Sequence, residues 1–313
     1  MASRRQFFTD AEIRALAARS DWMGALLVAH CWAVIFGSMA LFVWWPNVLT
    51  FLFAFVLIGS RQLGLVILMH DAAHNALFKT PWLNEFTGDY LCGRPVLAEL
   101  DAYRRYHLKH HRYTQTDEDP DLVLSKPFPT TRASLRRKFL RDLTGRTGLR
   151  QRSEQFAHWM QMGGDKDAVE EAQKLTQKFN GPGLGRSLLV NLILFAGLAA
   201  TGHWWLYPVL WILPMLTWYQ FVLRVRNIAE HGAVERSDNP LRNVRTTKAG
   251  LVMRALLAPY WVNYHLEHHL VMHVPCWRLK KMHQRMLELG HRDAMEIGES
   301  YADVLRVAGS KAA

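Results

Sequence analysis

Cysteine is scarce in this chain: its 313 residues contain three, Cys31, Cys92 and Cys276, far apart and without a CxxC pair. A disulfide framework and a zinc ribbon are thereby excluded. There is also no haem, flavin or Rossmann motif, no internal repeat and no low-complexity tract. Acidic residues are in the minority, with 27 Asp+Glu against 38 Lys+Arg and a net charge of +11. Disorder is excluded, because half of the residues are hydrophobic. Two residue types are abundant instead: the chain has 12 Trp and 15 His.

The mean hydropathy of −0.07 averages two different materials. Apolar runs cover about residues 24–45, 48–69, 185–201 and 204–225. A helix needs roughly 20 apolar residues to cross a bilayer. The first two runs meet that length. The third is short, so its helix borrows residues at Gly185 and Arg186 or turns within the headgroup layer. Trp44, Trp45 and Pro46 mark one connection and His203, Trp204 and Trp205 the other, as aromatic belts do at a membrane interface. The pattern predicts an all-α, multi-pass membrane protein with four transmembrane helices in two hairpins. A helical cap from residues 70–184 and 226–313 completes one integral-membrane domain over 1–313.

Charge orients this arrangement. The connections at 45–47 and 202–205 carry no Lys or Arg, whereas the N-terminus (Arg4, Arg5, Arg14, Arg19), the middle segment and the tail are basic. The positive-inside rule puts the cap on the cytoplasmic face. The net charge of +11 then faces anionic headgroups, and with no recognisable module there is no case for nucleic acid. Thr9–Glu12 has capping-box spacing, and Asp10, Glu12 and Asp21 argue against a transit peptide, so no cleaved leader is expected. Loop chemistry is expected at Lys126–Pro129 and in the breaker cluster Asn180–Gly185. Arg61 interrupts the second apolar run, so the helix is expected to leave the membrane near it and continue inside the cap.

The histidines are patterned. His70 and His74 are spaced i, i+4; His107, His110 and His111 are spaced i, i+3, i+4; His265, His268 and His269 repeat that second spacing. Each set falls on one helix face, so one helix can supply two or three nitrogen ligands to zinc, copper or iron. An even number of apolar runs separates the sets, so all eight reach one side of the membrane. Asn227 and His231 lie one turn apart at the end of the fourth run, which adds His231 as a ninth ligand and Asn227 as a contact through water. Nine nitrogens exceed what one ion takes, so two metals share them.

With these motifs the chain resembles the membrane-bound fatty acid desaturases and their relatives, the carotene ketolases and hydroxylases. The resemblance rests on HDAAH at 70–74, HLKHH at 107–111, NIAEHG at 227–232 and HLEHH at 265–269, and covers roughly residues 60–285. It implies two iron ions held by His70, His74, His107, His110, His111, Asn227, His231, His265, His268 and His269. It further implies O2 as co-substrate and an external electron donor, such as a ferredoxin or a cytochrome b5-like protein, for which a basic cytoplasmic surface is suited. The three residues between the first pair of histidines favour acyl-lipid substrates, and the small size favours a bacterial inner membrane. The expected reaction is desaturation of a membrane-lipid acyl chain. The alternatives are a carotenoid ketolase or hydroxylase within the family and a zinc-binding membrane receptor or transporter outside it.

Carboxylates near the boxes are expected to orient the ligand imidazoles: Asp71, Asp119, Asp121, Glu230 and Glu267. Asp117 and Glu118 belong to the same acidic loop. His273 is an outside candidate. His30 and His203 are assigned to packing or the interface, and His158, His283 and His291 to solvent. Residues 276–291 fit either an interfacial helix or an ordinary amphipathic helix of the cap.

Overall fold

The computed structural model describes residues 6–161 and 183–312. Arg4, Arg5 and residues 180–182 of the breaker cluster at 180–185 lie outside them. Helix α1 (Asp10–Leu16) opens with the Thr9–Glu12 capping box formed in both directions. Helix α2 (Asp21–Trp44) is apolar on all sides and is capped by Ser20, whose hydroxyl accepts the Met23 N–H at 3.3 Å. Helix α3 (Val48–Ala73) starts from a second box, between Asn47 and Thr50, and packs along α2.

Helix α3 links the two materials seen in the sequence. Leu49, Leu52 and Phe53 are exposed near its start, whereas every residue from Ile58 to Ala73 is buried. Arg61 lies in the buried half: its guanidinium donates to the Ala255 carbonyl and sits 5.6 Å above the Tyr260 ring. The Gln62 amide donates to the Trp211 carbonyl at 2.7 Å. The apolar continuation of α3 therefore faces protein, and both Arg61 and Gln62 find a backbone acceptor within it.

Helix α4 (Pro81–Phe86) runs into a π-helical segment, Thr87–Gly93, and a short 3-10 turn, Arg94–Val96. Gly88 lets that segment press on α3, since a Cβ there would lie 2.4 Å from the Ala72 Cβ. Helices α5 (Leu100–Tyr113), α6 (Leu122–Ser125), α7 (Arg132–Leu143) and α8 (Arg146–Gln161) follow. Next come α9 (Leu184–Ala200) and a helical run from Tyr207 to His231 whose last part is α10 (Trp218–His231). After a short helix at Leu251–Leu256 and a 3-10 turn at Pro259–Trp261 come α11 (His265–Leu270), α12 (Cys276–Glu288) and α13 (Tyr301–Ala308). Strands β1 (Thr246–Thr247) and β2 (Ile297–Gly298) pair in parallel, two residues each. The all-α expectation holds apart from this clip.

Among the described residues, three helices are long and apolar enough to cross a membrane: Asp21–Trp44, Val48–Ala73 and Tyr207–His231. Helix α9 is shorter, at 17 residues, or about 26 Å at 1.5 Å per residue. It is anchored through polar contacts. Asn191 donates to the Arg94 carbonyl at 3.1 Å and accepts from the Tyr207 hydroxyl at 3.0 Å and the Trp211 indole at 3.2 Å. Helix α12 buries Cys276, Leu279, Met282 and Met286 in the core, so the apolar stripe read at 276–291 faces protein.

Candidate metal centre

Four chain segments bring the histidines together, and three of them do so at helix C-termini. His70 lies in the last turn of α3 and His74 caps it, with Asn75 turning the chain away at φ 54°. The freed carbonyls at that end are taken up by Asn84, which donates to Ala72 at 2.9 Å, and Arg104, which donates to Ala73 at 3.0 Å. His107, His110 and His111 occupy the last two turns of α5, and His231 ends α10. The negative ends of three helix dipoles thus point to one place, where they favour a cation. The fourth segment is α11, made almost entirely of the third box. Left-handed backbone marks several of these junctions: Asn75, Gln115, Ala233, Tyr260 and Trp261 all have positive φ. Such conformations persist only where the surroundings enforce them.

All nine histidines of the expected set converge in one buried centre. The facing nitrogens of His70, His74, His107, His111 and His268 lie within 4.8 Å of one another. A second group holds His110, His231 and His269, and a third, sharing His231, holds Glu230 and His265. The Nε2 atoms of His107 and His111 are 2.9 Å apart, and those of His111 and His268 are 3.0 Å apart. Nε2 of His265 lies 2.8 Å from that of His231 and 3.2 Å from that of His269. The five-nitrogen group and the four histidines His110, His231, His265 and His269 therefore form two adjoining nests.

A dry cluster of this kind is costly as it stands. Both ring nitrogens of His70 and His74, and Nε2 of His110, are buried without a hydrogen-bond partner. A cation shared by the lone pairs removes that cost, so the residues present fit a pair of metal ions. The protonation state agrees. Burial first, then the neighbouring imidazoles, hold His74, His107, His111, His265, His268 and His269 well below the usual imidazole range, in the neutral form that ligates metals.

The five carboxylates divide by function. Asp119 accepts from Nδ1 of His110 at 2.8 Å and from the Gln115 and Asp121 backbone N–H groups, leaving Nε2 of His110 to face the centre. Asp121 accepts from the Tyr106 hydroxyl and lies 3.9 Å from Nδ1 of His110. Glu230 is steadied by Arg226 at 2.6 Å and places an oxygen 3.3 Å from Nε2 of His265, among the candidate ligand atoms themselves. Asp71 instead accepts the Cys276 N–H at 2.8 Å, capping α12, with His70 3.8 Å away. Glu267 accepts from the Thr246 hydroxyl and pairs with His283 at 2.6 Å. Asp71 and Glu267 thus tie the first and third boxes to α12 and β1. Asp117 is exposed and pairs with Arg236 at 2.8 Å.

Sequence reasoning missed several contributors. His283, assigned to solvent, is half-buried against Glu267. The Thr114 hydroxyl donates to the His110 carbonyl at 2.7 Å and lies 3.3 Å from Nδ1 of His269. Tyr103 stacks on His107 with centroids 5.1 Å apart. Arg226 had a detectable signal, its i, i+4 spacing from Glu230. Tyr103 and Thr114 have the same i, i+4 spacing from His107 and His110, whereas the His283 contact to Glu267 and the Thr114 contact to His269 come from the tertiary structure. His273 is exposed, with Nδ1 3.2 Å from the His74 carbonyl, so it braces the backbone of the first box. His30 lies 3.1 Å from the Tyr260 hydroxyl and His291 packs on Phe7. His158 and His203 join none of the nitrogen groups.

A cavity of about 190 Å³ opens beside the centre. His107, His110, His231 and His265 form one wall with Asn227, while Tyr103, Val66, Leu223 and Arg152 contribute others. Asn227 thus borders the cavity beside His231.

The comparisons agree with this site. The model of the fatty acid desaturase family matches residues 43–300. The chain is 28% identical over 282 residues to a dihydrorhizobitoxine desaturase of Bradyrhizobium elkanii, covering 86% of this chain and 77% of that protein. It is 23% identical over 288 residues to an sn-1 oleoyl-lipid 12-desaturase of Anabaena variabilis, with 86% and 77% covered. A beta-carotene ketolase of Paracoccus sp. (strain PC1) is 22% identical over 221 residues, with 70% and 74% covered. The family match takes in all four histidine-bearing segments as well as α3, α9 and the run from Tyr207 to His231, and the chain belongs to the fatty acid desaturase family of membrane oxidoreductases.

Proposed function

We propose that this chain is an O2-dependent di-iron desaturase that introduces a double bond into the acyl chain of a membrane lipid. The observation that carries the reading is the convergence of nine imidazoles, eight of them buried and His269 half-buried, on two adjoining nests beside a cavity. His70, His74, His107, His111 and His268 would hold one iron, and His110, His231, His265 and His269 the other, with Asn227 acting through water. When bound, the irons would supply the redox chemistry that lets O2, two electrons, two protons and the two hydrogens taken from adjacent chain carbons become two waters. Removing hydrogen from a methylene lies beyond acid–base side chains, so the redox metal is required.

The protein's own residues do the rest. Asp119 fixes the tautomer of His110. Glu230 and Arg226 form a neutralised pair beside His265. The cavity wall holds the chain against His107, His110, His231 and His265. Electrons come from outside, from a ferredoxin or cytochrome b5-like donor. In this reading α9 serves as a fourth span, and the cap, with its active site, faces the cytoplasm at a bacterial inner membrane.

Expression in a host of simple lipid composition, with mass spectrometry of acyl chains and pigments, tests the substrate. New unsaturation is the expected result. An oxidised carotenoid with unchanged acyl chains would transfer the assignment to the ketolase branch. Two finer expectations accompany it. Asn227→Ala lowers turnover while iron content, read by elemental analysis, stays near that of the parent. Asp119→Asn weakens iron retention or turnover by roughly tenfold to hundredfold, since it removes the acceptor that orients His110.

A further inference from the structure

One charge in the cavity wall has no counterpart among the described residues. Three arginines border this space: Arg152, Arg224 and Arg226. Arg224 is held by both oxygens of Asp142, and Arg226 pairs with Glu230 at 2.6 Å. Arg152 has no carboxylate partner among the described residues. Its Nη1 donates to the Gln155 side chain at 2.8 Å and its Nη2 to the Val96 carbonyl at 3.3 Å, and its buried Nε has no acceptor. A guanidinium carries five N–H donors in a fixed fork, so three remain unused. A desolvated cation without an anion is costly, and a carboxylate or phosphate entering the cavity would relieve that cost. The two acids of the same wall are already engaged: Glu154 with Arg150 at 2.7 Å, and Asp121 with the Tyr106 hydroxyl. Val66, Val123, Leu124 and Leu223 supply apolar surface within the same space, and His107 and His265 border it.

The geometry points to Arg152 as the anchor for an anionic group, carboxylate or phosphate, on the molecule whose chain is oxidised. The anchor and the metal-facing histidines share one cavity, so the fork sets which carbon meets the centre, counted from the anion. This inference rests on the desaturase reading above and names the class of substrate it takes.

Binding to the full chain in detergent, read by calorimetry, tests it without turnover. Two probe pairs separate the sources of the anion. Dodecanoate against methyl dodecanoate tests a free carboxylate, and dihexanoyl phosphatidic acid against dihexanoylglycerol tests a headgroup phosphate. The parent protein is expected to prefer the anionic member of at least one pair by roughly tenfold to hundredfold. Arg152→Gln should remove that preference by weakening the anion alone, the uncharged partner serving as the control for folding. If the parent discriminates neither pair, or Arg152→Gln discriminates as the parent does, the anchor is refuted. Should Arg152→Gln bind nothing, Arg152→Lys decides, because it keeps the charge without the fork: a reduced preference supports the anchor and an unchanged one overturns it. Absence of desaturation with the anion preference intact would sink the desaturase reading alone.

Discussion

Replacing His107 or His268 with alanine is expected to abolish desaturation and to lower the iron content, whereas His158→Ala should leave both near the parent level. The difference lies in position. His107 and His268 belong to the five-nitrogen nest, with ring nitrogens within 4.8 Å of their neighbours. His268 is 2% exposed, and Nε2 of His111 lies 3.0 Å from its own Nε2, so its loss opens the coordination of whatever the nest holds. His158 joins no such group. Elemental analysis of the purified proteins, paired with lipid mass spectrometry, checks the outcome. A parent protein carrying zinc alone after native expression would count against redox chemistry. Equal activity in the three variants would dissolve the centre.

The second large effect is on stability. Asp89→Ala is expected to destabilise the protein by about 3–5 kcal/mol, as for a buried ion pair that loses one partner. Arg94 is 2% exposed, and its Nε lies 3.0 Å from both oxygens of Asp89. The same carboxylate accepts the Leu100 N–H at 3.0 Å, at the first residue of α5. Arg94 also donates to the Gly183 carbonyl at 2.6 Å, at the start of α9. Removing Asp89 would strand a charge in the interior and loosen both the helix that carries the second histidine box and the short apolar helix. Thermal unfolding in detergent should show a lower midpoint, and iron should be lost at lower temperature. An unchanged midpoint would show that Glu99, 3.7 Å from Arg94, compensates alone.

Much of this was legible in the chain itself. Histidine spacing is a helical property, so 70–74, 107–111 and 265–269 announced three ligand-bearing faces before any fold was known. The apolar runs around α2 and α3 are long enough to be recognised by length alone, and their caps, Ser20 and Asn47, are local chemistry. The expected run at 204–225 was less legible. Its helix runs from Tyr207 to His231, with a π-helical opening at Tyr207–Ile212 and non-helical φ/ψ at Thr217. Nothing in the local hydropathy marks those breaks.

The carboxylates show where the sequence stops. Asp71, Asp119, Asp121, Glu230 and Glu267 look alike in the chain, each within or near a histidine motif. In the fold, Asp119 braces His110, Glu230 sits among the candidate ligands, and Asp71 and Glu267 hold α12 and β1 in place. Their partners, Cys276 for Asp71 and Thr246 and His283 for Glu267, lie at least 16 residues away in the chain, and no periodicity encodes such pairing.

What the sequence alone determined was the inventory: scarce cysteine, apolar runs, one-sided charge and nine histidines at helical spacings, because each is set by composition or by the 3.6-residue turn. The tertiary structure decided how those histidines divide into nests of five and four, which carboxylate touches which ring, and that Arg152 faces the cavity without a counter-charge among the described residues. Those features depend on contacts between helices that are far apart in the chain, where packing and desolvation, not spacing, select the partner.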